Sequence, residues 1–208
     1  GGPRAPRSPA GPLRAGARRL ENDRLRAVFG ANGTIVSLVD KDHGTELVPS
    51  GGGAGMNNFV RQYDHGDLWS LYRKPVNGSL LYTAEQRDPL PDCTPGLRRH
   101  GGVSAGGCDT RAWPARIRLA ERGPLRAALE IEYPDAGLTT RVSLARDEKL
   151  LRFRTRLIPA GKRWRLRAVF PTTIRAGTIR RSIPCGFVRQ PEGEFPAQDW
   201  IDYSDGEK

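Results

Sequence analysis

Residues 57–72 hold the densest group of side chains able to do chemistry. Within them stand the amides of Asn57, Asn58 and Gln62, the carboxylates of Asp64 and Asp67, the imidazole of His65, and the rings of Phe59, Tyr63, Trp69 and Tyr72. Amides, carboxylates and stacked rings are the groups that bind sugar hydroxyls and the C–H faces of sugar rings. Two carboxylates such as Asp64 and Asp67 are also the pair that acid–base glycoside hydrolysis requires. The same residues read equally well as a packed core (Phe59, Trp69, Tyr72) carrying a polar loop. On residue chemistry alone the two readings stand level. The glycine-rich stretch 49–55 lacks the Lys-Ser/Thr ending of a phosphate-binding loop and reads as a connector. Cys93 and Cys108 flank His100 without zinc-ligand spacing, so they do not form a metal signature. Cys185 makes the cysteine count odd, which argues against a disulfide framework, although a Cys93–Cys108 bridge remains open.

The elements that must position these residues are strands. Apolar and charged residues alternate with a period of two in 116–119, 125–133, 138–144, 150–158 and 164–170. In the fourth run Leu151, Phe153, Thr155 and Leu157 face one way, and Arg152, Arg154 and Arg156 the other. Short turns such as Arg122-Gly123-Pro124 and Pro134-Asp135-Ala136-Gly137 join the runs, so a five-stranded antiparallel meander is predicted. No connection is long enough for a crossover helix. The apolar face needs a cover, and a second sheet supplies it, giving an all-β antiparallel β-sandwich. Upstream, 24–29 and 34–39 form a hairpin around Asn32-Gly33, where both residues tolerate positive φ. Further short strands are predicted at 45–48, 79–83 and 177–183, with a long polar loop over 84–112 and a tail from 184. Residues 1–19 carry Gly, Pro, Ala, Ser and Arg with no acid, and read as a disordered linker ahead of a sandwich domain at 20–208.

The 208 residues include 25 glycines and 17 prolines, as suits strands joined by many turns. The net charge is +11. Many of the arginines fall at alternating strand positions, the pattern of a solvated sheet face, so nucleic acid is not the expected partner. No run of about 18 apolar residues exists, and the beginning of the chain has no apolar signal core, so the expectation is a cytoplasmic protein with no membrane span. The first residue is not Met, which suggests a fragment.

The most specific run is Ile183-Pro184-Cys185-Gly186-Phe187-Val188-Arg189-Gln190-Pro191, followed by Glu194-Phe195-Pro196-Ala197-Gln198-Asp199-Trp200-Ile201-Asp202-Tyr203-Ser204-Asp205-Gly206. It resembles the closing segment of the C-terminal β-domain of glycoside hydrolase family 38, the α-mannosidases. Leu20-Glu21-Asn22, then Asn32-Gly33-Thr34-Ile35-Val36-Ser37-Leu38-Val39-Asp40-Lys41, resembles the start of the same domain, and Asp64-His65-Gly66-Asp67-Leu68-Trp69 its acidic, Trp-bearing loop. Three departures stand out. Cys185 replaces an aromatic, Gln190 replaces an arginine, and Ile158-Pro159 replaces an Asp-Trp pair.

The resemblance implies a galactose-mutarotase-like supersandwich, incomplete at its C-terminus and so left with exposed sheet edges. It implies membership of a zinc-dependent retaining α-mannosidase whose nucleophile and zinc ligands lie in an α/β barrel of the same polypeptide, outside this chain. These residues would then hold no catalytic group and no metal. They would support the barrel and line the sugar cleft, contacting an α-mannoside or other carbohydrate through Asp64, Asp67, Trp69 and Tyr72, and through Trp200 and Asp202. The alternative is a non-catalytic carbohydrate-binding module. A nucleic-acid-binding role rests on charge alone and lacks the ring-bearing basic motifs of RNA-binding sheets. A sugar epimerase needs a His and a Glu in one cleft, and His43, His65 and His100 all fall in predicted loops.

Overall fold

The computed structural model describes residues 12–51, 55–63, 109–111, 113–159, 164–174, 177–190 and 199–204. All of its sheets are antiparallel, and the described residues contain no α-helix. The first sheet joins β1 (Arg14–Gly16), β2 (Arg19–Glu21), β3 (Leu25–Phe29), β4 (Ile35–Asp40) and β5 (Thr45–Glu46) in chain order. In β3 the alternation is realised as expected, with Leu25, Ala27 and Phe29 buried. Gly33 turns the β3–β4 hairpin at φ +80°. Its lack of a side chain matters for a second reason: a Cβ there would run into the Tyr133 hydroxyl and the Ile131 methyl. The turn therefore packs directly on the opposing sheet.

That second sheet is a meander of β7 (Arg116–Arg122), β8 (Arg126–Tyr133), β9 (Leu138–Ala145) and β10 (Leu151–Leu157). A single 3-10 turn, Pro134–Ala136, links β8 to β9 and is closed by Gly137 at φ 60°. The two sheets face each other. Leu20, Phe29 and Ile35 from one meet Leu129, Ile131, Leu138, Val142 and Leu144 from the other in a single core. Burying a leucine- or isoleucine-sized side chain is worth about 1.5–3 kcal/mol, so this interleaving is the main source of stability. Two polar ties cross the core's margin. The Tyr133 hydroxyl donates to the Asn32 carbonyl at 2.9 Å. The Asn22 amide donates to the carbonyls of Ala145 and Glu148, each at 2.7 Å.

The structure corrects four expectations. Strand β1 and the first residue of β2 lie inside the 1–19 segment read as a linker, because Leu13 and Ala15 pack against the core despite their basic neighbours. The meander has four strands and not five: β11 (Trp164–Val169) leaves it and pairs with β6 (Asn58–Tyr63). Alternation told which face of β11 is apolar but not which strand lies beside it. The supposed tail contains β13 (Gly186–Gln190) and β14 (Ile201–Ser204), which flank β12 (Thr178–Ile183) in a separate three-stranded sheet. The end of the supposed loop 84–112 also takes part in a sheet contact, since Asp109 bridges Val60 of β6. The strand predicted at 79–83 lies outside the described residues.

Candidate functional site

Five buried polar residues gather around β6: Asn57, Asn58, Arg61, Asp109 and Thr110. Met56 exchanges both backbone hydrogen bonds with Ile35 of β4, each 2.9 Å, and so hangs β6 on the first sheet. Asn57 then takes the left-handed conformation, φ 57°, which Asn tolerates better than most side chains. This turn lets the chain leave β4's edge and start β6. Asn57, Asn58 and Arg61 are buried, as are Asp109 and Thr110 beside them. The Thr110 amide donates to the Phe59 carbonyl at 3.0 Å, and the Thr110 hydroxyl donates to the Asn58 side chain. Arg111 Nε donates to both Asp109 oxygens, at 3.0 and 2.9 Å. Asp109 is therefore the ion-pair partner of Arg111.

Arg61 lies with its guanidinium 5.7 Å from the Trp113 ring centre, a cation–π arrangement. Burial pulls its pKa below the ordinary value, yet an arginine stays charged through such a shift. Phe59 and Trp113 each meet Tyr133 edge-on with ring centres 6.1 Å apart. Burial pushes the Tyr133 phenol's pKa up. The Asn57 Nδ2 has no hydrogen-bond partner among the described residues although it is buried. The cluster thus packs amides, a hydroxyl, a guanidinium and an indole side by side in the interior, where they hold β6, residues 109–111 and Trp113 together.

The placement relative to the expected site is direct. β6 ends at Tyr63, so Asp64 is the next residue, and the 109–111 segment lies against β6 through the Val60–Asp109 bridge. The two residues that bound 64–108, Tyr63 and Asp109, therefore both lie at β6. Asp64, Asp67, Trp69 and Tyr72 themselves lie outside the described residues, as do Cys93 and Cys108. Sequence reasoning overlooked Asp109, Thr110 and Trp113, which sit among prolines and glycines with no periodicity to mark them. The Asn57-Asn58 pair beside a glycine-rich connector was the one available signal.

Asp202 lies in β14 of the three-stranded sheet and Trp200 just before that strand, in a sheet that does not pair with β6. The Trp200 amide donates to the Ser182 hydroxyl at 3.1 Å, and its ring is 44% exposed with Phe187 6.2 Å away. Asp202 accepts from Arg180 Nε at 2.9 Å and Nη2 at 2.6 Å. These two residues present an open aromatic pair beside an ion pair. Cys185 is an exposed turn residue at φ 65° in the β12–β13 hairpin, so the missing aromatic costs no core packing there.

The motifs that opened the family resemblance have a structural explanation. Leu20 is fully buried. Glu21 accepts from Lys41 Nζ at 3.0 Å, and the same ammonium donates to the Asn22 carbonyl at 2.9 Å. Asp40 accepts from Lys149 at 2.8 Å and faces His43 Nδ1 at 2.7 Å. Burial alone would raise the Asp40 pKa, but Lys149, His43 and the Asp42 amide outweigh it and hold it at about 2. Leu-Glu-Asn and Asp-Lys are thus one polar clasp between the first sheet and the β9–β10 turn. No group of three or more His, Cys, Asp or Glu among the described residues could hold a metal ion.

An antiparallel sandwich with a buried polar cluster around one strand defines the class: an all-β domain. The chain belongs to the glycosyl hydrolases family 38 C-terminal domain, whose family model matches residues 20–208. Two solved structures share its fold. One, a family 38 glycosyl hydrolase protein from Enterococcus faecalis, aligns with TM-score 0.57 at 18% identity, covering 87% of this chain and 22% of its own. The other, an α-mannosidase from Enterococcus faecalis V583, gives TM-score 0.57 at 17% identity, covering 87% and 20%. The chain therefore spans about a fifth of the length of these relatives. No curated protein matches it by sequence.

Proposed function

We propose that this domain is the β-sandwich part of an α-mannosidase-like glycoside hydrolase, supporting a catalytic barrel of the same polypeptide and lining its sugar cleft. The observation that carries this reading is the family match across residues 20–208. The buried cluster of Asn57, Asn58, Arg61, Asp109 and Thr110 supports it, because it anchors both ends of the stretch that bears Asp64, Asp67, Trp69 and Tyr72. The zinc of the resemblance does not fit the described residues, which offer no ligand set. Its ligands, and the nucleophile, are assigned to sequence outside this chain. The test is α-mannoside hydrolysis by the protein encoded by the whole reading frame, with and without Asp64→Asn, Asp67→Asn and Trp69→Ala. The expected result is hydrolysis of aryl α-mannosides, with KM raised about tenfold by at least one substitution, the loss of one or two sugar contacts. A whole-frame protein that binds mannosides but never cleaves them sinks the hydrolase reading.

A second reading, a carbohydrate-binding module, draws on the exposed Phe187–Trp200 pair, since open rings stack on sugar faces. It predicts mannooligosaccharide quenching of tryptophan fluorescence in this chain alone, lost in Trp200→Ala. Unchanged fluorescence at saturating sugar would reject it.

A further inference from the structure

Asn32-Gly33 carries a chemistry of its own besides making a turn. Among the described residues it is the one asparagine followed by glycine. A glycine amide has no side chain to shield it, so its nitrogen can close on the side-chain carbonyl carbon of the asparagine before it. In that reaction the Gly33 nitrogen gives up its proton to base and bonds to Asn32 Cγ. Asn32 Nδ2 takes a proton from water and leaves as ammonia. Water then opens the cyclic imide at either carbonyl, leaving aspartate or the backbone-lengthened isoaspartate. The net change is one water taken up and one ammonia released.

The fold opposes the first step at each atom involved. Ala31 and Asn32 are the central residues of a turn closed by the Gly33 amide, which donates to the Gly30 carbonyl at 3.0 Å. The attacking nitrogen is thus already engaged. Neither central residue has a positive φ, the mark of a type I turn, which holds Asn32 ψ at about 0°. The closed ring eclipses Asn32 Cβ with the Gly33 nitrogen, which needs ψ a third of a turn away. Both ends of the peptide resist that rotation. Asn32 Oδ1 accepts from the Thr34 amide at 3.3 Å and the Thr34 hydroxyl at 3.0 Å. The Asn32 main-chain carbonyl accepts from the Tyr133 hydroxyl at 2.9 Å. Gly33 is buried against Tyr133 and Ile131, with no room beside it even for a Cβ.

We propose that Asn32-Gly33 is a latent deamidation site locked by Tyr133, and that it converts only when the β3–β4 turn lifts off the meander sheet. The conversion is one-way. Isoaspartate adds a methylene to the main chain where Gly33 has no space for a single carbon, so the converted turn cannot seat again. Tyr133 then loses its acceptor. The loosening reaches β6, because Ile35, two residues beyond Gly33, exchanges backbone hydrogen bonds with Met56. The site thus records openings of the sandwich. The inference stands independently of the catalytic reading.

The 208-residue chain and a synthetic peptide of residues 27–41 are incubated side by side at mildly alkaline pH. Trypsin cuts after Arg26 and Lys41, so the chain releases the same peptide, in which Asn32 is the only amide side chain. Mass spectrometry reads the amide-to-acid change, and chromatography separates the isoaspartate form. The folded chain is expected to convert at least about tenfold more slowly than the peptide. Tyr133→Phe keeps the ring and removes the bond to Asn32, and is expected to convert about fivefold faster than the parent chain, the scale of one hydrogen bond. Leu144→Ala loosens the core at the far end of β9 from Tyr133. Compared at equal folded fraction, it is expected to convert more slowly than Tyr133→Phe. The purified isoaspartate form is expected to show faster amide exchange at Thr34 and Ile35 than the parent. Equal conversion in chain and peptide overturns the proposal. So does Tyr133→Phe converting no faster than Leu144→Ala, and so does parent-like exchange in the isoaspartate form.

Discussion

At the scale of single residues, the polar motifs of this domain act as joints. Gly33 combines a positive φ with a closed environment, so Gly33→Ala meets both backbone strain and a clash with Tyr133 and Ile131. A loss of about 3 kcal/mol is expected in urea unfolding. Gly44 has a similar φ, +66°, but open space around it, and Gly44→Ala should cost only about 1 kcal/mol. Equal losses at the two positions would show that Gly33 is chosen for φ alone. Asp40 gives a pH signature. Its folded pKa, about 2, lies below the unfolded value of 3.8, so its contribution is present above pH 4 and lost as pH falls towards 2. Asp40→Asn should lower stability by about 1–3 kcal/mol at neutral pH. The gap between variant and parent should close by about pH 2. A gap that persists at pH 2 would mean that the carboxylate's charge is not what Lys149 and His43 stabilise.

At the scale of elements, alternation is necessary for a strand but does not rank strands. β8 and β10 are both alternating, yet β8 is central and β10 stands at the sheet's edge among the described residues. The difference is measurable. Leu129 is fully buried, and Leu129→Ala should cost about 2–5 kcal/mol. Phe153 is larger but 36% exposed beside an apolar trough, so Phe153→Ala should cost under about 1.5 kcal/mol in this chain. Urea midpoints compared at constant slope decide the order. A larger loss at Phe153 would show that the β10 edge is covered in solution.

At the scale of the whole molecule, Asn22 binds the two sheets into one body. Its amide donates to two carbonyls of the β9–β10 connection, while its side-chain oxygen accepts from the Arg24 and Leu25 amides at 2.9 and 2.8 Å. Asn22→Ala abandons all four bonds at a buried position. It should cost at least about 3 kcal/mol, seen as a lower melting temperature together with faster exchange in both sheets. If exchange quickens in the first sheet alone, the sheets are joined by apolar packing and not by this residue.

Much of the fold was legible in the sequence because it is local. A period of two places Leu25, Ala27 and Phe29 on one face, and positive φ at Gly33 and Gly137 marks the turns, whatever surrounds them. Less of the candidate site was legible. Asn57 and Asn58 could be seen as polar, but nothing local told that Asp109 and Thr110, some fifty positions later, would be buried against them. Pairing between distant strands was equally hidden: β11 joins β6 across a hundred residues, and its own pattern fits a fifth meander strand as well. The sequence by itself determined the strands, their apolar faces and the tight turns between consecutive ones. Only the tertiary structure decided which strands are neighbours and which polar groups are buried. Those outcomes depend on contacts between remote segments, and side-chain alternation carries no information about the identity of the partner.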